Sequence, residues 1–329
     1  MVPGLGHLHM NQQKTVFKIL DEILLEPLAK DVLHFNTQAG YQCFVDSKDT
    51  HKSWQAIQVL LIGTTLEFIR QYKMTSPKVN SPMDFLEWIS KNRNPTLKML
   101  GNMISTYVLS IYLFKYGVRN NDVALIDAAR FKFDDLFYAF NHPIYREVEY
   151  RDLKNRVNYQ PEIGKVRGAN MSFTQSDSKF KSQGGDFVLE GKVKRQKLLA
   201  PNGPVKADTW KSLARCLDEF EEIYAASNKH LKIQSTSEKI VDLVSEISIW
   251  QSVLRSSNYL STDNFSDSPK NIFGELLSQD VVSLSMNAKK KRMEVWKQIE
   301  SNLDICSAKV DFIRVIPHKD IDDLLYDVH

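Results

Sequence analysis

A chain of 329 residues, 43% hydrophobic and 25% charged, has the profile of a soluble globular protein with one large core or two ordinary ones. A net charge of +3 and a pI near 8.5 permit contact with nucleic acid without demanding it. The three cysteines, Cys43, Cys216 and Cys306, are far apart and form no C-x-x-C pair, which argues against a disulfide framework or zinc site and for reduced thiols inside a cell. The N-terminus has no basic stretch leading into an apolar one, so no secretory signal is expected.

In chain order, the first long element comes from Val16, Ile19, Leu20, Ile23, Leu24 and Leu28, whose spacing predicts an amphipathic helix over Asn11–Leu33, kinked or divided by Pro27. A second helix is predicted from Asp49 to Tyr72, with Ser47 or Asp49 as N-cap. Its Ile57–Ile69 portion is apolar nearly all round and should be covered on both sides. After a linker at Pro77–Pro82 come a short helix at Asp84–Ser90 and a long one from Pro95 to Tyr116, stopped by Gly117. Within it, Met99–Phe114 is uncharged but short for a bilayer and broken by Gly101, Asn102 and three hydroxyl residues. It reads as a buried core helix, with no membrane partner.

Asn120 or Asn121 should cap a helix running to Phe140, and His142-Pro143 should open another to Val157. No period-2 strand pattern is found between residues 11 and 157. The polar, Gly- and Ser-rich stretch from Tyr159 to Gly185 reads as an exposed loop. Helices are expected to resume near Asp186, at Asp208–Ala226 and at Thr236–Ser256. A polar linker then leads to a last helix opened by Lys289 and ending near Leu303, followed by an acidic tail. The expected fold is therefore mainly α, a multi-helix protein with few or no strands. Its divisions are an N-terminal helical domain (1–158), a flexible loop (159–185), a second helical segment (186–256), and a linker with C-terminal helix and tail (257–329). Short strands would fit near residue 3 or at Val310–Ile316.

Several residues carry candidate chemistry. His7 and His9 form an H-x-H pair, which on a strand would share a face and suit one metal ion; the plainer reading is a turn contact and a packing contact. Asp186 and Glu190 lie one helical turn apart, a spacing that can hold a divalent cation for phosphoryl chemistry, or simply cap a helix. Lys192, Lys194, Arg195 and Lys197 make a basic run, as do Lys289, Lys290, Lys291 and Arg292. Either run is a candidate phosphate-backbone contact or a solvated helix face, and the second also suits a nuclear-import signal. His51-Lys52-Ser53-Trp54 and His142-Pro143-x-Tyr145 read as helix openings anchored by an aromatic ring.

Taken together, Pro3-Gly4-Leu5-Gly6-His7 with Met10-Asn11, His51-Lys52-Ser53-Trp54-Gln55, Tyr116-Gly117-Val118-Arg119, Ala129-Arg130-x-Lys132-Phe133, Leu136-Phe137-Tyr138, His142-Pro143-x-Tyr145, Tyr150-Arg151-Asp152 and Gly184-Gly185-Asp186-Phe187-Val188-Leu189-Glu190 resemble an uncharacterised eukaryotic family, domain of unknown function 6589. Behind it stands a resemblance to cut-and-paste transposases with an RNase H-like core, in which a D-x-x-H motif leads into a helix and a late helix supplies an acid. That resemblance implies a slot at Gly4-Leu5-Gly6-His7, a helical insertion over residues 11–157, and Glu190 with Asp186 as the late acids.

Position 4 is glycine, which cannot ligate a metal, and the first-strand aspartate would lie upstream of Met1. The expectation is thus a transposon-derived, catalytically incomplete, DNA-associated intracellular protein of the nucleus, without cofactor and not itself an enzyme. The alternatives are a helical scaffold for protein partners and a metal-dependent phosphodiester hydrolase using His7, His9, Asp186, Glu190 and a divalent ion.

Overall fold

The computed structural model describes residues 4–75, 81–140, 142–157, 171–173, 182–190, 242–263 and 265–307, with a few single positions between 162 and 216. Helices make up 79% of the interpretable residues, so the protein is mainly α. Helix α1 (Leu5–Leu20) continues without a break through two wider π-helical turns, Asp21–Leu25 and Leu28–Val32. Pro27 sits between them: its missing N–H and its ring are absorbed by local widening, so the helix is neither cut nor stopped. The helix also begins six residues earlier than its periodicity predicts, which puts His7 and His9 on a helix and not on a strand.

A short α2 (Gln38–Val45), capped by Thr37, was not foreseen in the pattern. Helix α3 (Thr50–Thr75) has the expected cap, with the Asp49 carboxylate accepting the N–H groups of His51 and Lys52. Ser81 and Asn94 open α4 (Pro82–Lys91) and α5 (Pro95–Asn102), each with proline in the first turn. Helix α5 runs on through a π-helical stretch, Met103–Val108, into α6 (Leu109–Asn120). This Pro95–Asn120 rod has the length and apolarity of a membrane span, and 61% of its most apolar window is buried against other helices.

Gly117 does not stop α6. The turn is made by Asn121, in the left-handed conformation at φ 54°, and Asp122 caps α7 (Val123–Ala139). Gly117 serves close approach: a Cβ there would lie 3.1 Å from the backbone nitrogen of Ile126. Helix α8 (Pro143–Val157) opens where predicted.

Within the stretch read as a loop, β1 (Ser172–Phe173) pairs antiparallel with β2 (Gln183–Gly184), and residues 185–190 are helical. Helix α9 (Leu243–Ser256) is capped by Asp242. Helix α10 (Gln279–Ser307) begins ten residues before Lys289, so the basic run lies inside the helix and does not open it. Residues 1–3, Lys192, Lys194, Arg195, Lys197 and the tail from 308 lie outside the described residues.

One apolar core joins α1, α3, the α5–α6 rod and α7 to α9 and α10. Helix α9 seats its fully buried Trp250 on α3 at Gly63, where a Cβ would come within 2.7 Å of the indole. The indole N–H donates to Thr64 Oγ1 at 3.0 Å. Glu67, buried on the same face, accepts from Arg255 at 2.9 Å and from Arg70.

On the other side, α7, α8 and α10 enclose a charged layer. Arg130 makes a forked contact to Glu149 (3.0 Å twice) and reaches Asp152 at 2.8 Å, all three buried. Arg292 lies against Asp135 at 3.1 Å and over the ring of Phe131. Beside them Asp134 is buried with neither carboxyl oxygen hydrogen-bonded. Burial and the charge of Glu149 push its carboxyl well above the usual range.

A carboxyl whose folded value is raised contributes stability that is complete below its unfolded value and is lost as pH rises through the folded one. Asp134→Asn is therefore expected to raise the melting temperature at neutral pH, with an advantage that shrinks toward zero as pH falls to about 3. Thermal unfolding of both proteins across that range checks it.

Candidate functional site

The N-terminal turn of α1 exposes backbone N–H groups that its own sequence leaves without a side-chain cap, because the N-cap residue is Gly4. The carboxylate of Asp186 supplies it from a distant part of the chain: Oδ1 accepts from Gly6 N (2.9 Å) and Oδ2 from His7 N (2.8 Å). The approach depends on glycine. A Cβ on Gly4 would lie 2.5 Å from Asp186 Oδ2, one on Gly6 would overlap the Phe187 ring at 1.9 Å, and one on Gly184 would meet Gly6 N at 2.9 Å. The Gly4–His7 turn and the Gly184–Glu190 segment are thus fitted to each other.

His7 lies between the two acids of that segment, with Nδ1 2.9 Å from Asp186 Oδ2 and Nε2 3.0 Å from Glu190 Oε1. Both contacts are hydrogen bonds when each ring nitrogen carries a proton. The side chains of His7 and Glu190 are 49% and 41% exposed, so the contact to Glu190 is a surface pairing of small energetic weight. Burial alone would push the Asp186 carboxyl up. The N–H groups of His7 and Gly6 and the His7 ring outweigh it and hold that carboxyl below its ordinary value.

The H-x-H pair does not converge. Two positions along a helix are about 200° apart around its axis, so His9 points inward where His7 points out. His9 is 3% exposed, stacks on Phe114 at 6.0 Å and faces Trp54 at 5.8 Å. Burial, then the charges of Lys115 and Arg119, push its imidazole well below the usual value. Among the described residues no group of three or more histidine, cysteine, aspartate or glutamate side chains is arranged to hold a metal ion.

Behind this junction lies a cleft of about 190 Å³ between α1, α3, α6 and β2. His51 and Gln183 stand at its exposed rim, while Leu5, His9 and Phe114 form its buried floor. Lys115 and Arg119, one turn apart on α6, project beside it, and no acidic residue among the described ones lines it. Lys115 Nζ sits between two aromatic rings, 5.9 Å from Trp54 and 6.0 Å from Phe187, and Trp54 is backed by Tyr112 at 5.5 Å. Burial and the neighbouring Arg119 push the Lys115 ammonium down to about 8. Neither cation forms an ion pair among the described residues.

His51 and Trp54, read from sequence as a helix opening, and Lys115 and Arg119, not singled out as site residues, form this wall. Their signal was present: Lys115 and Arg119 are the first charges after Lys98, following sixteen uncharged residues. The tyrosine of His142-Pro143-x-Tyr145 braces the same region, accepting from Asn11 Nδ2 at 2.6 Å.

Of the second basic run, Lys289 and Lys290 are exposed and Lys291 is partly so. Arg292 is corrected: at 2% exposure and paired with Asp135, it is a core ion-pair partner and no nucleic-acid contact.

Two outcomes follow. Asp186→Ala should lower stability by about 1 kcal/mol in denaturant titration, the scale of losing a helix cap. Because the folded carboxyl is lowered, that loss is full above the ordinary carboxylate range and vanishes as pH falls through the folded value. Lys115→Met should raise the melting temperature at pH 7, since the ammonium is held in the cleft against its hydration. Its lowered value makes the wild type recover as pH climbs from about 8 toward the free-lysine range, closing the gap. Comparison with protein-family models, with curated proteins and with solved structures finds no match for this chain.

Proposed function

We propose that this protein is a nucleic-acid-associated protein of transposon origin that binds DNA without cutting it. The origin rests on the resemblance of its motifs to the family domain of unknown function 6589 and, behind it, to transposases with an RNase H-like core. The observation that carries DNA association is the cleft beside the Gly4–His7 turn, where Lys115 and Arg119 face a pocket with no acidic residue among the described ones. Two like charges one turn apart repel, and a bound polyanion relieves that repulsion. The exposed Lys289 and Lys290 on α10 add positive surface.

Lack of cleavage follows from position 4. Glycine stands where the resemblance asks for a metal-binding aspartate, and the nearby Asp186 carboxylate is occupied with two backbone N–H groups and His7. Such a site holds helix and segment together rather than presenting paired carboxylates to a substrate.

The purified protein is expected to bind DNA with an affinity that falls steeply with salt, and Lys115→Ala/Arg119→Ala should reduce the log–log slope by about 1–2. Supercoiled plasmid should stay intact with magnesium or manganese. Absent or salt-indifferent binding would overturn the association. Metal-dependent nicking that His7→Ala abolishes would instead favour the hydrolase reading.

A further inference from the structure

We infer that the cleft between α1, α3 and α6 is a phosphate-monoester site that takes the terminal phosphate of a nucleotide, with Lys115 and Arg119 as its cationic walls and His9 at its floor. Nucleotide identity rests on the DNA reading above; the anion chemistry of the cleft does not.

Three independent observations converge on it. The cleft is small, about 190 Å³, with buried Leu5, His9 and Phe114 at its base, so its size suits one compact group better than a continuous strand. Its two cations have no carboxylate partner among the described residues, whereas the buried arginines Arg130 and Arg292 elsewhere in the molecule are matched by acids. His9 lines the same cleft, is 3% exposed, and its Nε2 has no hydrogen-bond partner. An unmatched polar atom in a core costs about 1–3 kcal/mol unless something bonds to it.

The phosphate oxygens meet the Lys115 ammonium and the Arg119 guanidinium, with the His9 ring beneath them. The charge also fits. A monoester carries about −1.5 to −2 at neutral pH, against two positive side chains. A diester within a strand carries −1 and would leave one cation unmatched. The rings of Trp54 and Phe187 hold Lys115 Nζ in place, so the site is shaped before the ligand arrives.

The test uses the full chain and fluorescence polarisation with short single-stranded oligonucleotides ending in a 5′-phosphate, a 3′-phosphate or hydroxyls, with a mononucleotide and inorganic phosphate as competitors. The expected result is binding about tenfold tighter for one phosphorylated end than for the hydroxyl ends. The preference should be lost in Arg119→Ala and in Lys115→Met, which keeps the packing between the two rings, and both variants should retain a cooperative melting transition. Inorganic phosphate alone should raise the melting temperature of the wild type and not of Lys115→Met.

Equal affinity for phosphorylated and hydroxyl ends overturns this site even when DNA binds, and leaves the DNA reading standing. Competition by a mononucleotide and stabilisation by phosphate, with no binding of any longer strand, keeps the site and overturns the DNA reading. Capture of a phosphorylated peptide in preference to every nucleotide overturns the assignment to nucleotides.

Discussion

The N-terminus of α1 borrows its cap. Residue 4 is glycine, so the first amides of the helix have no local acceptor, and the Asp186 carboxylate comes from 180 residues away to take the N–H of Gly6. That contact requires bare backbone on both sides, at Gly4 and Gly6 on one strand of the junction and Gly184 on the other. Because the two segments lock there, Phe187 is carried to the flank of Lys115 and β2 becomes a wall of the cleft. The helix cap and the pocket are consequences of the same close approach.

The molecule treats its buried charges in two opposite ways. Between α7, α8 and α10, Arg130 and Arg292 are met by Glu149, Asp152 and Asp135, and the cost of desolvating Arg130 is offset by its forked hydrogen bonds to Glu149 and its bond to Asp152. In the cleft, Lys115 and Arg119 sit side by side with aromatic rings and with no acid among the described residues. The first arrangement matches each arginine with an acid inside the core and serves packing, with Asp134 left over beside it. The second leaves its cations without an acid among the described residues, which is the physical basis for the proposal that an anion binds there.

His7 shows how a motif with a catalytic look can have another use. It stands beside two carboxylates, as the spacing of Asp186 and Glu190 and the position of the turn suggested it could. Yet the Asp186 carboxylate holds backbone amides, and the contacts to Asp186 and Glu190 both run through the single His7 ring. His9, its neighbour in the H-x-H pattern, faces the core and belongs to the cleft instead. One pattern of two histidines therefore serves two different environments, because a helix and not a strand carries it.

Helix character was legible in the sequence wherever local chemistry decides it. Apolar spacing marked α3 and the Pro95 rod, Asp49 and Pro95 marked their starts, and His142-Pro143 marked α8. Boundaries set by a distant partner were not legible: α1 begins at Leu5 because Asp186 caps it, Gly117 stays helical because α7 passes close by, and α10 starts at Gln279 although its charges begin ten residues later. The same division holds for the site. The transposase resemblance brought His7, Asp186 and Glu190 together as neighbours worth testing, whereas residue type alone named Arg292, which is buried against Asp135.

Lys115, Arg119, His51 and Trp54 come from two helices far apart in sequence, and no single stretch could show that they share one cleft. The sequence by itself determined which segments form helices, since propensity and capping act over a few residues. Only the tertiary structure decided which charges are matched and which are left facing a pocket, since that balance depends on side chains brought together across the whole chain.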